Sequence, residues 1–362
     1  MDKTSQDAIT LANGRPVYRQ HHLKPDGRDI YLYGYSQNTA VPVEGDALEM
    51  QSGSELRLHP LRGTWSIYAA KRNSRTFKPN AALDPLAPSR IGEPLTEIPF
   101  ENYELAVFSN RFPGLHTMAE QPSSGISGVT TNPAAGACEV VVYSPEATGT
   151  LASLGQARRR LILAAWVDRY NAHFAAGHAY VLPFENRGDE VGVTLHHPHG
   201  QIYAFPIVPA PQVKAAEAFE RGYDLSNEAN TWEAEFGIAE AGGVIAYAPP
   251  FARFPYEVWI SARRPVSGPW AFSEEEADGF AFLLGDITAR YDAFFGRDTP
   301  CMLSLQAAPY GRDDTFQFTA QFYPLLRAPD RIKFLASVEQ ATGIFTVDVL
   351  PIEAARALKA VL

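Results

Sequence analysis

The stretch 194-TLHHPHGQIYAF-205 gathers three of the chain's nine histidines within four positions, around one proline and one glycine. It reads as a strand. In a strand, residues two apart face the same way, so His197 and His199 are expected on one face. Two imidazoles side by side fit three roles: metal ligands, a nucleophile with its support, or a hydrogen-bonded row at a strand end. A metal site needs three or four ligands. The chain has no Cys-x-x-Cys and no His-Glu-x-x-His, and its other histidines are scattered at His21, His22, His59, His116, His173 and His178. The residues alone therefore support a metal only weakly.

The flanks favour chemistry. Gly200 allows backbone or ligand to approach closely. The run 184-FENRG-188 ends a preceding strand and offers Asn186 as a polar contact, and 191-VGVT-194 brings the Thr194 hydroxyl near the cluster. A neutral imidazole attacks phosphorus well when a backbone carbonyl holds its other nitrogen protonated, which fixes the tautomer.

The stretch has an echo. Arg111-Phe112-Pro113 recurs as Arg253-Phe254-Pro255, and 168-DRYNAHF-174 recurs as 289-ARYDAFF-295. Tyr170 to His199 is 29 positions and Tyr291 to Gln321 is 30, so 316-FQFTAQFYP-324 falls where 194-TLHHPHGQI-202 falls. An echo of this kind predicts two related halves, each a helix packed on antiparallel sheet. The first half keeps its histidines and the second has Thr319 and Gln321, so chemistry is expected in the first. We expect one unit over residues 1–362, with an N-terminal half at 55–210 and a C-terminal half at 211–362.

Local signals add detail. 25-PDGRDIYLYGY-35 reads as a turn at Asp26-Gly27 and then a strand, and 139-EVVVYS-144 as a strand ending at Pro145. Ser153 with Gln156 has capping-box spacing, predicting a helix to about Ala175, and Ser273 with Glu276 predicts one to Phe295. A short helix is expected after Pro351. The Gly-, Ser-, Pro- and Thr-rich run 121–137 is expected to be a loop.

Composition excludes several classes. With 46% hydrophobic and 20% charged residues the chain is ordinary for a globular protein. A net charge of −10 argues against a nucleic-acid or anionic-membrane surface. Cys138 and Cys301 cannot make a disulfide framework and point to a reducing compartment. The start MDKTSQDAIT has no signal-type apolar core, and no apolar run approaches a membrane span, so a cytoplasmic location is expected.

On these residues the chain resembles the galactose-1-phosphate uridylyltransferase family, a branch of the histidine-triad superfamily. The match rests on 184-FENRGDEVGVTLHHPHGQIYAFPIVP-209. It extends to 59-HPLRGTWSIYAAKRNSR-75, 108-FSNRFPGL-115, 322-FYPLLRAPDRIKFLASVE-339 and 343-GIFTVDVLPIEAARALK-359. The resemblance implies an α+β fold of two histidine-triad-like halves, antiparallel sheet flanked by helices. It implies a double displacement in which His199 takes UMP from UDP-glucose and passes it to galactose 1-phosphate, with His197 and Gln201 in support. It also implies that Arg72, Arg75 and Thr194 hold phosphates, that Asn110 and Phe112 hold uridine, and that Asn186 makes a polar contact. Lys333, Phe334 and Glu339 would face the hexose phosphate from a partner subunit, which implies a homodimer.

The chain departs from the family at its metals. The usual zinc ligands align with Asp84, Ala87, Ala147 and His197, and the second site of some members aligns with Ala215, Gln306, Thr319 and Gln321. No bound metal and no cofactor are therefore expected. Val338 and Phe345 stand where polar residues often occur, so another sugar 1-phosphate or an ADP-sugar is an alternative substrate. Hydrolysis of the nucleotide, and a catalytically dead nucleotide-binding protein, are further alternatives.

Overall fold

Asp26 and Gly27 turn the chain as the sequence suggests. Gly27 adopts φ 80°, a conformation glycine takes without strain, and its N–H bonds the Lys24 carbonyl at 2.8 Å. The computed structural model describes residues 5–10, 16–46, 53–70, 84–122 and 125–362. In chain order the first elements are β1 (Ser5–Thr10), β2 (Pro16–Leu23), β3 (Asp29–Gly34), β4 (Glu55–His59), β5 (Thr64–Tyr68), β6 (Leu105–Ser109), β7 (Thr131–Pro133) and β8 (Ala137–Val142). Then come α1 (Gln156–Ala175), β9 (Tyr180–Arg187), β10 (His199–Phe205), α2 (Ala210–Glu220), α3 (Leu225–Phe236), β11 (Gly237–Ala241), β12 (Val244–Tyr247) and β13 (Val258–Ala262). The rest are α4 (Glu274–Phe295), β14 (Cys301–Gln306), β15 (Thr319–Pro324), β16 (Leu326–Ala328), β17 (Arg331–Ile332), α5 (Ser337–Thr342) and α6 (Pro351–Lys359).

Among the described residues, twelve strands form one sheet in the order β1-β2-β3-β6-β8-β10-β9-β14-β15-β13-β12-β11, and every neighbouring pair is antiparallel. Reading outward from the β9–β14 seam, β9-β10-β8-β6-β3 mirrors β14-β15-β13-β12-β11. α1 lies between β8 and β9 in the chain, as α4 lies between β13 and β14. The two Arg-Phe-Pro triplets follow the equivalent strands β6 and β12. The fold is thus α+β, built of two related halves on one continuous sheet.

Both long helices cover one face, packing on each other and on a shared core that includes Trp166, Tyr170, Phe280, Leu284, Ile287 and Phe318. Burying each such side chain contributes roughly 1.5–3 kcal/mol. α4 starts where its sequence says: Ser273 accepts the Glu276 N–H at 3.1 Å and Glu276 accepts the Ser273 N–H at 2.7 Å. α1 starts two residues later than the Ser153 signal suggests, with Gly155 as its cap. Ser153 instead closes a turn with Thr150, accepting that residue's N–H at 2.9 Å. α6 begins at Pro351 as expected.

The opposite face carries the site. There Phe108, Val140 and Val142 from the sheet meet Leu86, Ile98, Phe100 and Tyr103 from the segment 84–103. The run 121–137 is not all loop: β7 joins β4 and β5 in a small separate sheet. Among the described residues no helix is long and apolar enough to cross a membrane.

Candidate active site

β10 emerges from Pro198 and alternates strictly. Gly200, Ile202 and Ala204 are buried against the helices, while His199, Gln201 and Tyr203 face the other way. Gly200 is required here. A Cβ on it would lie 2.4 Å from the Tyr143 hydroxyl and 3.0 Å from the Phe184 carbonyl. That hydroxyl donates to Glu185 at 2.9 Å, and burial pushes the Glu185 carboxyl up to about 7 even though Tyr143 favours its anion.

The two histidines do not share a face as the strand reading expected. The strand begins at His199, and His197 lies in the bend before it. Pro198 has no N–H to give the ladder, and its carbonyl instead accepts the Tyr143 N–H at 3.2 Å. The His197 ring turns inward, with Nδ1 2.7 Å from Asp84 Oδ2 and Nε2 2.8 Å from the Ser144 carbonyl. A carbonyl only accepts, so Nε2 carries a proton. Burial raises the Asp84 carboxyl, but the bonds from His197 and the Leu86 N–H outweigh it and hold the group below the usual carboxylate range.

His199 Nδ1 lies 2.7 Å from the His197 carbonyl. This nitrogen must therefore donate, and Nε2 is left as the basic atom. Burial lowers the pKa of the ring, opposed by the bond to the His197 carbonyl. A neutral Nδ1–H imidazole beside open space is a competent nucleophile.

The open space is a cavity of about 790 Å³, lined by His199, Gln201 and Thr194 from the histidine region and by Asn110, Arg111 and Phe112 after β6. The segment 84–101 forms its far wall. Asn110 Oδ1 accepts the Phe112 N–H at 2.8 Å, which sets the bend of that loop. Behind the wall, Lys24 from the N-terminal hairpin holds Glu97 at 2.5 Å, and its ammonium sits 4.9 Å from the centre of the Phe108 ring. Burial brings that lysine down to about 8 despite Glu97.

The other expected residues fall as follows. Asn186 is on β9, two residues beyond the Phe184 that pairs with Gln201, and does not line the cavity. Arg72 and Arg75 lie outside the described residues. Lys333 donates to Glu339 at 2.9 Å and to the Thr346 carbonyl at 2.6 Å. Phe334 is 74% exposed, and none of these three lines the cavity of its own chain. Sequence reasoning did not foresee Phe108, Arg111 and Tyr103, or that Asp84 has a positive role. The one available signal was an aspartate followed by a proline, a turn former whose side chain here accepts the Leu86 N–H at 2.9 Å.

The residues aligned with the zinc ligands do not fit that ion. Ala87 and Ala147 have no donor atoms, and both ring nitrogens of His197 are already engaged. In the second half Gln321 donates to Thr319 at 2.8 Å and accepts from Tyr323, while Gln306 accepts from Tyr180 and Gln212 and donates to Ser304. Among the described residues no three His, Cys, Asp or Glu side chains are grouped to hold a metal.

A sequence profile described as "Galactose-1-phosphate uridyl transferase, N-terminal domain" matches residues 45–209. A galactose-1-phosphate uridylyltransferase of Thermotoga maritima is 35% identical over 84% of this chain and 98% of that protein. One of Streptomyces lividans is 30% identical over 79% of this chain and 80% of its own length. Among solved structures, a uridylyltransferase superposes with a TM-score of 0.74 at 26% identity, covering 85% of this chain and 98% of that one.

Proposed function

The chain belongs to the galactose-1-phosphate uridylyltransferase family of transferases, and on that footing we propose that it moves UMP from UDP-glucose to galactose 1-phosphate through a covalent uridylyl-histidine on His199. The observation that carries this reading is the 2.7 Å bond from His199 Nδ1 to the His197 carbonyl, which directs the free Nε2 lone pair to the cavity.

In the first step Nε2 bonds to the α-phosphorus of UDP-glucose as the bond to the β-phosphate oxygen breaks, and glucose 1-phosphate leaves. The Nδ1 proton stays in place, and the His197 carbonyl stabilises the charge that the ring acquires. A phosphate oxygen of galactose 1-phosphate then attacks the same phosphorus, and the electron pair of the P–N bond returns to Nε2. Charge on the phosphoryl oxygens is met by donors already in position, for which Gln201 and Thr194 are candidates. Arg72 and Arg75 add phosphate grips. Asn110 and Phe112 line the cavity where uridine would lie. Asn186 would supply a further polar contact from β9. Lys333, Phe334 and Glu339 would complete the hexose side of a partner's site in a homodimer. No metal or other cofactor takes part in this scheme.

The test is mass spectrometry of protein mixed with UDP-glucose alone. The expected result is a UMP adduct on the peptide containing His199, discharged to UDP-galactose by galactose 1-phosphate. An adduct formed from ADP-glucose but not from UDP-glucose would overturn the base assignment. Steady release of free UMP without acceptor would make the protein a hydrolase.

A further inference from the structure

The bend before β10 is held by hydrogen bonds from two separate segments of the chain. Asp84 Oδ2 and the Ser144 carbonyl grip the two nitrogens of the His197 ring from different segments, at 2.7 and 2.8 Å, and the ring is fully buried. Each anchor is itself fixed. Asp84 Oδ1 takes the Leu86 N–H at 2.9 Å. The Tyr103 hydroxyl lies 3.1 Å from the Ser144 carbonyl and 3.2 Å from that of Leu86. A ring pinned at both ends cannot turn, so the backbone that carries it cannot turn either. The carbonyl of that residue accepts the His199 Nδ1–H.

We propose that Asp84 is a positioning residue: through His197 it fixes the carbonyl that locks the His199 tautomer, doing with hydrogen bonds what a bound ion would do if Ala87 and Ala147 were ligands. Partners one step removed from a reactive imidazole set its tautomer and orientation in just this manner. The proposal rests on His199 being the nucleophile.

Asp84→Asn and Asp84→Ala in the full chain test it. Asp84→Ala should lower the rate of His199 charging by UDP-glucose on the order of 10- to 100-fold. KM should move by no more than about threefold, because both Asp84 carboxylate oxygens are taken up by His197 and the Leu86 N–H. Asp84→Asn is nearly isosteric, keeps the Leu86 bond and should fold; it should lose less. Nitrogen-15 spectra of the imidazoles should show His199 fixed with its proton on Nδ1 in the parent, and a mixture of tautomers in Asp84→Ala. The parent should keep its rate after treatment with a chelator. The proposal is overturned if Asp84→Ala charges at the parent rate with His199 still locked, or if chelation alone stops the parent. An absence of any adduct on His199 in the parent would instead defeat the nucleophile assignment, so the two failures are separable.

Discussion

The two halves share a strand order and differ in what the equivalent strands carry. On β10 a glycine sits between His199 and Gln201, beside a cavity of about 790 Å³. On β15 a full Phe322 takes the place of that glycine, and Thr319, Gln321 and Tyr323 bond one another beside a cavity of about 300 Å³. The shared Arg-Tyr of the helix ends diverges too. Arg169 grips Glu139 on β8 at 2.7 and 3.0 Å, whereas the equivalent Arg290 binds Asp286 at 2.7 Å and reaches the C-terminal carbonyls of Leu358 and Lys359. The lesson is that one scaffold tolerates two solutions at the same address. Where polar groups satisfy each other they hold shape; where one is left with a free lone pair, they can react.

Breaking this contrast gives the largest effect at His199, the proposed nucleophile. His199→Gly should reduce turnover on the order of 10⁴-fold or more. Gln321→Ala, its counterpart, should stay within about threefold of the parent, because its partners are all internal. Equal losses in the two variants would abolish the asymmetry.

Next comes the arginine pair. Arg169→Leu leaves Glu139 buried without its cation and should cost about 3–5 kcal/mol in urea unfolding. Arg290→Leu should cost less, about 1–3 kcal/mol, since the Asp286 it would leave unpaired is more open to solvent than Glu139. Burial alone would raise Glu139, yet Arg169 and His173 bring it down to about 2 from an ordinary 4.5. Its contribution is therefore complete above pH 4.5 and disappears as pH falls toward 2. The gap between the parent and Arg169→Leu should narrow on acidification.

Gly200→Ala should destabilise by about 1–3 kcal/mol, because the new methyl meets the Tyr143 hydroxyl and the Phe184 carbonyl. Thermal melting would measure this, and an unchanged melting temperature would mean that Tyr143 yields freely. The smallest effect is one of pH. With His199 lowered from 6.5, the loss of charging by UDP-glucose on acidification, as the ring gains a proton, should have its midpoint below 6.5. A midpoint above 6.5 would mean that the site stabilises the cation.

Much of this was legible in the chain. The Ser273 capping box, the Asp26-Gly27 turn, the Pro351 start and the repeat of helix ends are local or periodic signals, and the structure follows them. The Ser153 signal failed because Thr150 competes for the same hydroxyl. The shared face of His197 and His199 failed because a proline between them withholds a ladder bond and lets the first ring turn inward. Contacts such as Asp84 with His197, or Lys24 with Glu97, join residues 113 and 73 positions apart, and no local pattern encodes them. Lys333 and Glu339 bond each other within the chain, as Arg327 and Asp348 do, and residue types alone could not show that.

The seam where β9 meets β14 has a consequence for dissection. Cutting the gene between β10 and α2 would separate these two strands and leave a bare row of amide and carbonyl groups along each. Neither fragment would be a miniature of the whole. Each would recruit whatever strand it met first, another copy of itself included, so activity should return only when both fragments are present together to zip the missing ladder.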